Sequence, residues 1–253
     1  MILFIFILFI KLAQSYNVIL NIGSTGLLLP YSIGSIGYIK KNININKYEL
    51  IGTSGGSYCS LLYHYENDLT NHDYIWKNIF KLNETSQIDL YNLNKFQINS
   101  RTNLINRYKN KNCDSIPIKI IVTKYNNIIN KKKIIFNNYN NIDDLIYKCY
   151  CSSYIPYISG NNIYYLYNNI KYYDGAFNKR NEIYNKIYIN NNKIINDFDN
   201  LNDKLLININ CNSWGQKWKL GIRHSLDIKK SRLLYKKGWD DTEKYIHKLL
   251  NKK

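Results

Sequence analysis

The stretch Tyr48-Glu-Leu-Ile-Gly52-Thr53-Ser54-Gly55-Gly56-Ser-Tyr-Cys-Ser-Leu-Leu-Tyr-His-Tyr65 decides how the chain is read. Its first five residues, Tyr48, Glu49, Leu50, Ile51 and Gly52, are mostly apolar and end in glycine, the pattern of a strand running into a turn. Thr53 to Gly56 form that tight turn, and SYCSLLYHY reads as a helix. Gly52-Thr53-Ser54-Gly55-Gly56 is therefore a G-x-S-x-G placed between a strand and a helix. A nucleophilic serine at such an elbow sits in strained backbone, and its small neighbours, Gly52 and Gly56 among them, let strand and helix approach closely. The helix start adds unpaired N–H groups and positive dipole where an oxyanion would develop. The plainer reading of the same residues is an N-cap serine in a glycine-rich turn. The strand-turn-helix context favours Ser54 as a nucleophile.

Outward from this turn, strands alternate with helices. Tyr16 to Gly23 (YNVILNIG) reads as a buried strand, and a helix follows from about Pro30. Pro117 to Tyr125 and Lys133 to Phe136 read as strands, Asp143 to Ser152 as a helix, Ile163 to Tyr173 as a hairpin and Lys204 to Asn210 as another buried strand. Ile228 to Leu250 has helical periodicity that Gly238 should break. The polar stretches near 92–112 and 185–203 read as exposed loops. This order implies an α/β layered domain around a mixed, largely parallel sheet.

A hydroxyl is a weak nucleophile until a neighbouring base takes its proton. Ser54, Asp174 and His224 occur in the Ser, Asp, His order of α/β-hydrolases. Only 38 positions separate Tyr16 from Ser54, room for strand, helix and strand, whereas α/β-hydrolases place several strands before the nucleophile. His64, His72, His224 and His247 lie in polar or helical contexts and read as surface side chains. Asp174 follows an apolar-aromatic strand (IKYY) and precedes Gly175-Ala176, so its carboxylate can approach another loop closely; an ordinary Asp-Gly turn is the plain alternative.

Four further segments carry a resemblance. They are Gly23-Ser24-Thr25-Gly26 with Tyr31-Ser-Ile-Gly34, Cys151-Ser-Ser-Tyr-Ile-Pro156, Tyr173-Asp174-Gly175-Ala176 and Leu234-Tyr-Lys-Lys-Gly238-Trp-Asp-Asp241. Together with the serine turn, their order resembles patatin-like phospholipases, closest to the adipose triglyceride lipase and adiponutrin branch. The resemblance implies a three-layer α/β/α patatin-type sandwich and a Ser-Asp dyad, with Ser54 as nucleophile and Asp174 as general base. It implies an oxyanion hole at Ser24, Thr25 and Gly26, and no cofactor or metal. The implied activity is hydrolysis of a phospholipid or acylglycerol ester at a membrane or lipid-droplet surface. The glycine-rich loop of that family is here Ser24-Thr25-Gly26, one glycine in register. Backbone N–H groups rather than side chains stabilise an oxyanion, so the departure leaves two expectations: an active hydrolase, or a weak or inactive patatin-fold protein that binds membrane or lipid.

Composition frames these readings. The chain has 253 residues, 35 Lys+Arg against 18 Asp+Glu, and 25 tyrosines. It is apolar enough to bury a core, which excludes a disordered basic tail. Its Asn, Ile, Lys and Tyr share A/T-rich codons, so the charge of +17 argues only weakly for a nucleic-acid partner, and no nucleic-acid motif supports one. Residues 1–15 hold an apolar run, Ile2 to Ile10, then Leu12-Ala-Gln-Ser15. That pattern reads as a signal peptide ahead of one domain, 16–253, in the secretory pathway or on a membrane. Five cysteines form no disulfide or zinc pattern and read mostly as buried thiols. Trp214, Trp218, Trp239, exposed tyrosines and the Lys/Arg of 217–237 are the residues expected at a lipid interface.

Overall fold

The computed structural model describes residues 16–125, 131–177, 200–201, 204–209 and 225–250. Residues 1–15, His224, Trp214, Trp218 and Cys211 lie outside them. The strands are β1 (Tyr16–Ile22), β2 (Ile45–Thr53), β3 (Ile118–Tyr125), β4 (Lys131–Phe136), β5 (Tyr165–Tyr167), β6 (Ile170–Tyr173), β7 (Asn200–Leu201) and β8 (Lys204–Ile209). The helices are α1 (Leu29–Asn42), α2 (Gly55–Tyr65), the short α3 (His72–Tyr74) running into a π-helical turn (Ile75–Ile79), α4 (Leu93–Tyr108), α5 (Ile142–Ser153) and α6 (Ile228–Leu250).

The protein is α/β: a mixed, mostly parallel sheet flanked by helices, compatible with a three-layer α/β/α sandwich. β8, β1, β2 and β3 pair in parallel at its centre, and β4, β6 and β7 join antiparallel. Val18 to Ile22 are buried without alternation. A strand of a parallel sheet is covered on both faces, so its apolar residues run nearly continuously, here interrupted by the buried Asn21. Leu20, Leu50, Ile118 and Ile207 share the face on which α1, α2, α5 and α6 pack. Ile19, Ile51, Ile121 and Leu206, on the opposite face, are buried as well.

Pairing at β3 sets up the site. β4 occupies one edge of β3 from Ile120 to Tyr125. β2 pairs with Ile118 to Ile121, and β6 with Thr123 and Lys124, so β2 and β6 must share the other edge end to end. The last residues of β2 and β6 therefore face each other.

Packing corrects several expectations. Gly238 does not break α6, which runs through it; a Cβ there would stand 1.9 Å from the Tyr31 carbonyl oxygen, and one on Gly34 would stand 2.0 Å from that of Tyr235. The two glycines are where α1 and α6 cross at backbone contact. The stretch near 92–112 is mainly helix α4 rather than loop. Trp239 is half-buried against Tyr38 and Tyr235 instead of lying open at a surface, and many tyrosines, Tyr31 and Tyr108 among them, are core residues. His72 is not a surface side chain either: it is largely buried, with one ring nitrogen 2.6 Å from the Ser231 hydroxyl and the other 3.0 Å from Asp73. Cys59, Cys113, Cys149 and Cys151 are buried free thiols, as expected. Among the described residues no helix is long and apolar enough to cross a membrane.

Candidate active site

Ser54 lies between the end of β2 and the start of α2 with φ 57° and ψ −131°. For a residue with a Cβ this backbone costs about 1–3 kcal/mol and persists only where the surroundings enforce it. The surroundings are tight. A Cβ on Gly56 would stand 2.2 Å from the Ile22 carbonyl oxygen, and one on Gly52 would stand 2.5 Å from the Ser57 Cα. Small residues at both positions are thus required by strand-to-helix contact, as the G-x-S-x-G pattern predicts. The Ser57 hydroxyl and N–H both donate to the Ser54 carbonyl, at 2.6 and 3.0 Å, and hold the turn closed.

Ser54 and Asp174 are 120 positions apart in sequence, yet the Ser54 hydroxyl donates to Asp174 Oδ2 at 2.6 Å. Both side chains are buried. The shared β3 edge delivers Asp174 here directly after β6, and Gly175 makes the approach possible: a Cβ there would stand 2.3 Å from the Ile121 carbonyl oxygen. The carboxylate's other oxygen, Oδ1, accepts the Ala176 N–H at 2.7 Å. The Asp174 N–H donates to the Tyr154 carbonyl at 2.8 Å, and the Thr123 hydroxyl donates to the Asp174 carbonyl at 3.0 Å. Asp174 is fixed from both its backbone and its side chain.

Burial raises the Asp174 pKa to about 6, against the pull of the Ser54 hydroxyl, the Ala176 N–H and the positive charge of Lys133. Lys133 is itself pushed down by burial, with Asp174 raising it in return. A carboxylate in that range is a better proton acceptor than an ordinary aspartate and is still ionised at neutral pH.

The loop Gly23 to Gly26 comes off β1 and lies on the elbow. Thr25 is buried, Ser24 exposed, and Gly26 takes φ 51°. A Cβ on Gly55 would stand 2.0 Å from Thr25 Oγ1 and 3.8 Å from the Gly26 nitrogen. Gly55 thus packs against the Thr25–Gly26 segment, and as the first residue of α2 it has no intrahelical acceptor for its N–H. Thr25 and Gly26 line the cleft with Ser54 and Gly55; Ser24, the third expected oxyanion residue, is not among the lining residues.

Ser152 has no role that the sequence pattern assigns, and its contacts supply one. Its hydroxyl accepts the Ser54 N–H at 2.8 Å and donates to the Ile121 carbonyl at 2.6 Å, tying the elbow to β3. Tyr154, two residues on, anchors Asp174. A short serine-rich segment gives no local sign of this, because the partners lie some 20 to 100 residues away. Among the described residues no histidine hydrogen-bonds Ser54 or Asp174; His64 instead pairs with the Tyr48 hydroxyl at 3.0 Å. No protein-family model matches this sequence, and no curated protein matches it.

Proposed function

We propose that the protein is a serine acyl-ester hydrolase acting on lipids through a Ser54-Asp174 dyad, as the likeness to patatin-like phospholipases implies. The observation that carries the reading is the 2.6 Å hydrogen bond from a strained elbow serine to a buried carboxylate. As the Ser54 oxygen attacks the ester carbonyl, its proton passes to Asp174 Oδ2. The carbonyl oxygen becomes an oxyanion and is met by the N–H groups of Gly26 and Gly55. Collapse expels the alcohol, which takes the proton back from Asp174. Water then attacks the acyl-serine, Asp174 accepts its proton, and the carboxylic acid leaves with Ser54 restored. Both half-reactions return every proton, so the dyad is regenerated.

The cleft suits a lipid. It encloses about 780 Å³ of atom-free space open to solvent, walled largely by Leu27, Leu29, Leu90, Leu93, Phe96 and Ile155. Two of the most exposed aromatics follow its lining residues in sequence: Tyr91, next to Leu90, is 96% exposed, and Tyr157, two residues past Ile155, is 72% exposed. An aromatic side chain standing in water beside an apolar cleft favours seating at a lipid surface. The test is release of carboxylic acid by purified protein from p-nitrophenyl esters, and from acylglycerol or phospholipid vesicles. Turnover on soluble and vesicular esters is expected. Folded protein that hydrolyses none of them, and does not react with a fluorophosphonate, would leave a lipid-binding protein with an idle dyad.

A further inference from the structure

Three lysines in a row begin β4, and one of them differs from its neighbour. Lys131, Lys132 and Lys133 stand on a strand paired to β3 alone among the described residues, and charged side chains on such an edge keep other strands from pairing with it. Lys132 is exposed and fits that use, whereas Lys133 is half-buried. In register, Lys133 lies opposite Thr123 of β3, and Thr123 lies opposite Tyr173 of β6, the residue before Asp174. Residues directly paired across a sheet carry their side chains on one face, with strands about 4.8 Å apart. Lys133, Thr123 and Tyr173 thus form one row, and the chain leaves that row straight into Asp174. Lys124 and Lys132 pair with each other one position along, on the opposite face.

The middle of the row is short and committed. Thr123 is fully buried, and its hydroxyl is the one that donates to the Asp174 carbonyl at 3.0 Å. A long lysine side chain opposite a short threonine can reach across it toward the carboxylate. The effect is mutual: burial raises the Asp174 pKa and the Lys133 charge opposes it, while burial lowers the Lys133 pKa and the Asp174 charge opposes that. The hydrogen bonds to the carboxylate come from Ser54 and Ala176, so Lys133 acts on it through its field. The other titratable groups that α5 and β6 bring to this end of the sheet are uncharged near neutral pH. Burial pushes the Tyr150 and Tyr173 hydroxyls up to about 12, raises that of Tyr154, and keeps the Cys151 thiol protonated. Among the described residues, Lys133 is the charged side chain acting on Asp174.

We infer that Lys133 is a positioning residue of the dyad, its ammonium set across β3 so that the Asp174 carboxylate keeps its negative charge beside Ser54. The inference rests on the hydrolase reading and adds to it a residue that fixes the pH range of the reaction. A buried carboxylate with no opposite charge near it takes up a proton and ceases to be a base. Burial alone would carry Asp174 in that direction, and a cation one strand away restrains it without occupying the oxygen that Ser54 needs. Removing the charge should therefore leave the hydrogen bond from Ser54 in place and move the pH at which Asp174 can accept its proton.

The experiment compares the parent with Lys133→Met and Lys133→Arg, measuring kcat/KM for p-nitrophenyl butyrate from pH 5 to pH 8.5. Methionine keeps much of the length of the side chain without its charge. The acid limb, at about pH 6 in the parent, should move up by about half to one pH unit in the methionine variant. The ratio of kcat/KM at pH 6 to that at pH 8.5 should then fall by about two- to fivefold, and arginine should restore it. A side chain that only packed would lower both rates and leave the ratio as it was. A second measurement needs no substrate. In urea unfolding at pH 7, Lys133→Met should cost the parent more stability than it costs the Asp174→Asn variant, and the two costs should converge at pH 4, where the carboxyl is protonated. An unmoved acid limb, or equal costs at pH 7, would overturn the role of Lys133 while leaving the dyad intact. Absence of hydrolysis at every pH would instead overturn the hydrolase reading, and the unfolding comparison would still decide whether Lys133 acts on Asp174.

Discussion

Replacing Ser54 by alanine is expected to lower ester hydrolysis by about 10⁴-fold or more, the scale on which loss of a covalent nucleophile acts. Steady-state kinetics on a soluble ester measures it. The loss should appear in kcat rather than KM, because the cleft walls are untouched. A second variant separates chemistry from backbone strain. Ser54→Gly removes the same hydroxyl and is equally inactive, but glycine accepts φ 57° without penalty. It should therefore be more stable than Ser54→Ala by about 1–3 kcal/mol in urea unfolding. Equal stability of the two would mean that the elbow is not strained. Activity surviving in either would remove Ser54 from the chemistry.

Asp174→Asn is the second large effect. An amide accepts no proton, so kcat should fall by about 10²–10⁴-fold, the usual range for a general base. In the unaltered protein, kcat/KM should decline as pH falls through about 6, where the buried carboxylate takes up its proton. Stability carries the same signature with a definite sign. The folded pKa lies above the ordinary 3.8 of aspartate, so the native state binds the proton more tightly than the unfolded chain. That stabilisation is complete below pH 3.8 and is lost as pH rises through about 6. The shift corresponds to about 3 kcal/mol. Other carboxylates act in the opposite sense: Asp73 is held low by Arg232, and the burial of Glu66 is outweighed by its bonds to Arg107 and Tyr108. The readout is therefore the difference between the asparagine variant and the parent, which should favour the variant more at pH 7 than at pH 4. A difference that does not change with pH would contradict a buried, ionised Asp174.

Much of the fold can be read from the chain because its elements obey local rules. β1 and β8 carry consecutive apolar residues, Val18 to Leu20 and Leu205 to Ile207, the mark of strands covered on both faces. Helix α1 starts within a residue of Pro30, where proline suits a first turn. The elbow is legible for the same reason: glycines on both sides of a serine have a steric cause that the sequence alone expresses. Other features depend on distant partners. The buried face of α4 is Gln97, Ser100, Leu104 and Tyr108, spaced as a helix but half polar, so no apolar stripe shows and the segment reads as a loop. Gly238 looks like a helix breaker until the crossing with α1 is known, since only there does the missing side chain matter. The histidines mislead in the same way: His72 looks like a surface residue until Ser231, 159 positions later, comes to meet it.

Within the candidate site, Ser54 and Asp174 are visible in the sequence and their support is not. Asp174 resembles any Asp-Gly turn unless β6 is known to share an edge of β3 with β2. Ser152 and Tyr154, which hold the two backbones, become meaningful only after that pairing is in place. The loop from Gly23 to Gly26 shows the reverse case. Its sequence departs from a glycine-rich pattern, but the glycine it keeps, Gly26, is the one that takes a positive φ, and it packs beside Gly55.

The most direct test of the dyad is reaction of the folded protein with a fluorophosphonate, followed by peptide mass mapping. The account predicts a single adduct on Ser54, formed faster above pH 6 than below it, and slowed severely in Asp174→Asn. Folded protein that remains unlabelled, or an adduct on another residue at the same rate in the asparagine variant, would contradict it.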